Sequence, residues 1–202
     1  MDRDQGGKMN RLDNHQPLSS HPIYFAKVDT IAQTFVSHRP NLNIVSICMR
    51  NPSRLLTPLK FDLLDDKSEV VRSLDFTGGN IDNFDCTKFQ FDPVLDSSDK
   101  NYTARITAIL DPTLDPKEKE AAKSGLYVES HGGGDYLGGS SYVDGKDTGF
   151  DLHFKTLYRQ EYGGVFKESY LGFGSRIIKD PIFFVVFLAI LAFVIIKIRK
   201  AK

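Results

Sequence analysis

Tryptophan is absent from this chain, methionine occurs three times and cysteine only twice. The two cysteines, Cys48 and Cys86, lie 38 positions apart with no CxxC pair between or beside them, which excludes zinc-knuckle and thioredoxin-type motifs. They could close one disulfide in an oxidising compartment, or remain two small buried hydrophobes in the cytosol. No charge of one sign dominates: 26 basic residues balance 26 acidic ones, so no global field draws nucleic acid and none is expected as a partner. GxGxxG, GxxxxGK[ST] and GxSxG are all missing, which removes the usual phosphate-cradling loops and the nucleophile elbow. No cofactor is implied. Residues 1–20 are polar and mixed in charge, with no apolar segment after the basic residues. They are expected to form a flexible arm and do not have the pattern of a signal peptide.

Long hydrophobic runs are also lacking, with one exception. From residue 182 to 196 there are fifteen consecutive residues without a polar side chain, thirteen of them Ile, Leu, Val or Phe. Fifteen helical residues span roughly 22 Å, short of the ~30 Å hydrocarbon core of a bilayer. A helix from Pro181 to the neighbourhood of Arg199 closes the gap, with Lys179 and Lys197 reaching to the headgroups. Asp180 suits an N-cap and Pro181 the first helical position. At −0.3 to −0.6 kcal/mol per strongly apolar residue, insertion gains about 4–8 kcal/mol. Residues 176–202 are therefore expected to be a transmembrane anchor and basic tail. Pro181, Ile182, Phe183, Phe184, Phe187, Leu188, Leu191, Phe193 and Ile196 would face lipid, and Lys179, Lys197, Arg199, Lys200 and Lys202 would hold the interface.

Residues 21–175 are long enough for one domain with a real core. Short runs rich in β-branched and aromatic residues recur, including residues 42–49, 59–64, 70–76, 87–91 and 150–158. In residues 102–110, Tyr102, Ala104, Ile106 and Ala108 share one face and Thr103, Arg105 and Thr107 the other, the pattern of a half-buried antiparallel strand. One short polar helix is signalled by Asp115 as cap, Pro116 at the first position and Gly125 beyond the end. Residues 125–149 read as an irregular Gly-rich loop, and residues 165–173 as a last strand. The fold class expected is mainly β, an antiparallel sandwich or jelly-roll-like domain followed by one C-terminal transmembrane helix.

Chemistry-bearing residues do not assemble into a known pattern. His131 and His153 with Asp135, Asp144 and Asp147 would be the parts of a membrane-tethered hydrolase or transferase, but their spacing fits no ligand or triad arrangement. Asp62, Asp65 and Asp66 read as a solvated strand end. Tyr127, Tyr136 and Tyr142 are candidate contact residues of a binding loop. Asn101-Tyr102-Thr103 is a glycosylation sequon, relevant only on a lumenal domain.

Two orientation signals conflict. A span so close to the C-terminus implies a tail anchor with its domain in the cytosol, the orientation expected here. Four basic residues after the span argue instead for a cytosolic tail. The ending Arg199-Lys200-Ala201-Lys202 is similar to a dilysine-type retrieval signal of the endoplasmic reticulum, and a short span with a basic tail is similar to mitochondrial outer-membrane anchors. A viral internal membrane would suit the same device. The function expected is non-enzymatic: a single-pass subunit holding a β-rich binding domain at a bilayer for a protein partner. The alternatives are a virion protein linking an internal membrane to a capsid, and the tethered hydrolase.

Overall fold

The computed structural model describes residues 8–132, 136–161, 170 and 181–200. Strands β1 (Lys8–Gln16), β2 (His21–Tyr24), β3 (Thr30–Ser37), β4 (Leu42–Ile47) and β5 (Met49–Arg50) open the domain. β6 (Pro58–Leu64), β7 (Val70–Thr77), β8 (Thr87–Val94) and β9 (Lys100–Ala108) follow, then helix α1 (Pro116–Lys123). After it come β10 (Tyr127–Gly132), β11 (Ser141–Val143), β12 (Lys146–Asp147), β13 (Phe150–Leu152) and β14 (Phe154–Glu161), and finally helix α2 (Pro181–Lys200). The chain divides into two compact units, residues 10–159 and residues 1–9 with 160–202.

The fold is mainly β, with antiparallel sheets. A six-stranded sheet runs β12-β11-β3-β9-β6-β7, a four-stranded one β1-β14-β4-β8, and a small one β13-β10-β2 with β5 added to β10. Alternation decides which side of β9 is buried, whereas β4 is buried along its whole length. In β9, Tyr102, Ala104, Ile106 and Ala108 are buried, while Thr103, Arg105 and Thr107 stay partly open. One core draws on all three sheets: Phe35, Phe61 and Ile106 from the largest, Val45, Ile47, Phe89 and Phe154 from the second, and Met49, Val128 and Leu152 from the third. This layering is consistent with a β-sandwich.

Aromatic rings tie the layers together at two places. Phe61 of β6 stacks on Phe89 of β8, with centroids 4.3 Å apart and planes within 6°. Phe76 meets the same Phe89 edge-on at 5.1 Å. At the second place Phe35 of β3 lies 6.1 Å from Phe154 of β14, and Tyr136 packs edge-on against Phe154 at 5.1 Å. Offset and edge-to-face pairs of this kind add about 0.5–1.5 kcal/mol beyond their buried area.

Helix α1 forms as its caps dictate. The Asp115 carboxylate accepts from Glu118 N and the Glu118 carboxylate accepts from Asp115 N, a complete capping box with Pro116 at the first position. Its one buried residue is a lysine: Lys123 Nζ donates to Val28 O (2.8 Å) and Asp29 Oδ1 (2.7 Å). A mostly polar helix is thereby docked through a satisfied ammonium, with Thr57 Oγ1 also donating to Ala122 O, instead of through an apolar stripe.

Three expectations are corrected. Within the arm assigned to residues 1–20, residues 8–16 form strand β1 beside β14. Polar side chains secure it: Asn14 N and Nδ2 donate to Thr156 Oγ1, and Nδ2 also donates to Val36 O. No apolar alternation marks such a strand in the sequence. The Gly-rich stretch 125–149 contains β10, β11 and β12. Gly139 serves close packing: a Cβ on it would lie 2.0 Å from Thr34 O, where Ser140 exchanges hydrogen bonds with Thr34. Asp62, taken for a strand-end residue in solvent, is buried inside β6. The strand expected at residues 165–173 lies outside the described residues apart from Tyr170.

Helix α2 covers twenty residues. The side chains of Pro181, Phe183, Leu191, Ile196, Arg199 and Lys200, together with Lys179 and Lys202, lie outside the described residues. Among the described residues, no helix is long and apolar enough to cross a membrane. Of the expected lipid-facing set, Ile182, Phe184, Leu188 and Phe193 are exposed and Phe187 is half-buried.

Candidate functional site

The most chemically loaded place in the β-domain is where two strands change sheet. β4 leaves the four-stranded sheet at Ile47 and resumes as β5 in the small sheet at Met49, and Cys48 is the residue between. β13 leaves the small sheet at Leu152 and resumes as β14 at Phe154, and His153 is the residue between. A closed ring of backbone hydrogen bonds locks the crossing: Cys48 N to His153 O (3.0 Å), His153 N to Glu129 O (2.8 Å) and Glu129 N to Cys48 O (2.8 Å). The crossing strands therefore leave none of these amides unpaired.

Cys48 is bonded to Cys86, just ahead of β8, continuing the β4–β8 register beyond Ile47 and Thr87. A ring nitrogen of His153 lies within 4.8 Å of both sulfurs. His153 Nδ1 is 3.1 Å from Glu129 Oε2, and the other carboxylate oxygen, Oε1, is 2.8 Å from Arg50 Nη2. Arg50 also donates to Met49 O and Asp85 O, so its guanidinium spans from β5 to the residue before Cys86. Burial, with the charges of His153 and Lys155, pushes the His15 imidazole down. The result is a row of ionisable groups, Arg50, Glu129 and His153, beside a disulfide. With the sulfurs joined, they offer no thiolate for nucleophilic attack or metal binding. If the bond were reduced, two thiols and an imidazole would stand together, with Glu129 orienting the ring.

Other sequence-predicted residues are scattered. His131 Nδ1 meets Ser20 Oγ at 2.9 Å. Asp144 Oδ1 accepts from the backbone N of Asp29 and Thr30, and Asp147 Oδ1 accepts from Gly149 N. Asp147 thereby closes a local turn, whereas Asp144 ties the turn after β11 to the start of β3. Asp135 lies outside the described residues. The three tyrosines occupy separate places. Tyr127 pairs with Tyr24 at 5.2 Å. Tyr136 donates its hydroxyl to Asn14 Oδ1, and burial pushes that phenol up to about 12. Tyr142 lines a shallow cavity of about 310 Å³ with Thr34, Thr103 and Arg105.

Asp65 and Asp66 border a cleft of about 490 Å³ with Asp96, Asp99, Lys100 and Asn101. Asp65 Oδ1 is taken by Lys67 N and Glu69 N, and Asp96 pairs with Lys100 at 2.5 Å. Their company Asp62 does different work. It accepts from Ser73 Oγ (2.8 Å) and Arg105 Nη2 (2.9 Å), with Lys60 Nζ at 3.7 Å. Burial alone would push its carboxyl up, but the Arg105 and Ser73 hydrogen bonds and the Lys60 charge hold it below its ordinary value. The charged form is thus favoured by folding, and this stability is present above pH 3.8 and lost as pH falls through the folded value. Asp62→Asn is expected to cost about 2 kcal/mol at neutral pH, below the figure for a fully buried pair because Arg105 is partly exposed. It should also flatten the acid limb of a stability-versus-pH curve from urea denaturation. An unchanged acid limb would count against the ion pair.

Glu129 and Arg50 belong to the cluster around His153, and sequence reasoning passed over both. Glu129 falls in the Gly-rich stretch read as a loop. The alternation Val128 inward, Glu129 outward, Ser130 inward was the readable signal for a strand there.

Fold and site together define an antiparallel β-domain with a disulfide-locked strand crossing and an apolar helix beyond it. No family model matches the chain, and no curated protein is similar to it in sequence.

Proposed function

We propose that this protein is a non-enzymatic, single-pass membrane-anchored subunit that holds a β-rich binding domain against a bilayer for assembly with a protein partner. The observation that carries the reading is α2. Its described side chains are apolar except Lys197, and most of the large ones are open to the surroundings, Ile182 at 75 %, Val185 at 64 % and Phe193 at 61 % exposed. An apolar helix surface of this extent must be covered by lipid or by protein. The continuous run of fifteen residues without a polar side chain leaves no wet face for a surface helix, which favours lipid. Lys197 lies 5.8 Å over the Phe193 ring, which suits a cation reaching back along its own helix near an interface.

Alkaline extraction of membranes from cells making the full chain tests this. The intact protein should stay with the bilayer, and deletion of residues 181–202 should release it. Leu188→Arg, which adds about 3 kcal/mol at the centre of the span, should release a substantial fraction. Release of the intact chain at alkaline pH would sink the proposal.

A further inference from the structure

We propose that Asn101 carries an N-linked oligosaccharide and that the β-domain stands on the oxidising, lumenal side of the membrane. This rests on the membrane-anchored reading and decides which side that reading leaves open.

Three features support it, each through different physics. The first is the placement of the sequon. Asn101-Tyr102-Thr103 lies in β9 with Tyr102 only 3 % exposed, its ring 6.0 Å from Phe35 in the core. Strand alternation then turns Asn101 and Thr103 to the opposite face, where Asn101 is exposed at the rim of the acidic cleft. A glycan there projects into open space and displaces no core residue.

The second feature is the Cys48–Cys86 disulfide. Such bonds persist in oxidising compartments and are rare where glutathione keeps thiols reduced. It joins strand ends far apart in sequence, as a structural staple does. The third is charge. Lys197, Arg199, Lys200 and Lys202 follow the apolar run within six residues, whereas Arg176 and Lys179 alone stand close before it. The positive-inside rule puts the more basic flank in the cytosol, and the domain on the other side.

The modification is a glycosyl transfer. The Asn101 amide nitrogen forms a bond to the anomeric carbon of a lipid-diphosphate-linked oligosaccharide. The anomeric C–O bond breaks, the lipid diphosphate leaves with the electron pair, and the amide loses one proton.

The test uses the full chain in cells with a secretory pathway. Peptide N-glycosidase should shift the mass of the intact protein and of T103S, which keeps the sequon, but leave N101Q and T103A unshifted. A mass-tagged maleimide should label Cys48 and Cys86 only after reduction. An unshifted intact protein overturns the glycan. Thiols labelled without reductant overturn the oxidising side. If thiols are labelled without reductant while the chain still resists alkaline extraction, the orientation is wrong and the anchor stands; release on extraction removes the anchor itself.

Discussion

Replacing Cys48 and Cys86 together by alanine is expected to lower the stability of the protein by about 4 kcal/mol. The bond closes a loop of 38 residues, and the chain-entropy relation for that length gives this figure at 25 °C. The loss falls on a sensitive place. β4 and β8 pair antiparallel up to Ile47 and Thr87, and the bond continues that pairing into the crossing where Cys48, His153 and Glu129 share their backbone hydrogen bonds. Without the staple, the crossing keeps its hydrogen bonds but loses the covalent restraint on one of its three strands. Denaturant unfolding of the detergent-solubilised chain, with and without reductant, measures the effect. The reduced protein and the double alanine variant should show the same lowered midpoint. A midpoint indifferent to both would mean that the bond contributes nothing to stability.

Phe61→Ala is expected to cost about 3–5 kcal/mol. Phe61 is completely buried, stacks on Phe89 and lies 6.3 Å from Phe91. It thereby joins the six-stranded sheet to the four-stranded one. Truncation removes the transfer energy of the ring and leaves a cavity between two sheets that cannot close without moving both. Phe61→Leu should recover much of the loss, because it restores most of the volume. Equal losses for the two variants would mean that the site tolerates no shape but the ring. A negligible loss for alanine would mean that this cluster does not hold the layers together.

The crossing site was illegible for a specific reason. Cys48, Cys86, Glu129 and His153 come from four separated segments, and nothing local marks them as neighbours. Cys48 sits in an apolar run that reads as an ordinary buried strand, and His153 fits an alternation that reads as one strand from residue 150 to 158. Only pairing reveals that both residues occupy breaks between strands of different sheets. β1 was hidden differently. Its strand character comes from Asn14 bonding Thr156 and Val36, so its sequence carries polarity where a strand signal would carry alternation. Asp62 illustrates the converse: an acidic residue in an apolar strand looks misplaced until Arg105 and Ser73 from neighbouring strands supply its partners.

The sequence by itself determined what depends on neighbours along the chain. Alternation from Tyr102 to Ala108 decided which face of β9 is buried, Asp115 and Pro116 decided where α1 begins, and the apolar run in residues 182–196 decided that α2 has no polar face. These signals are local because side-chain direction and helix capping are set within a few residues. Tertiary structure alone decided the order of strands in the sheets, the joining of Cys48 to Cys86, and the row Arg50, Glu129 and His153 beside them. Each of those requires residues distant in sequence to meet, and strand pairing, which fixes their meeting, is a property of register across the sheet.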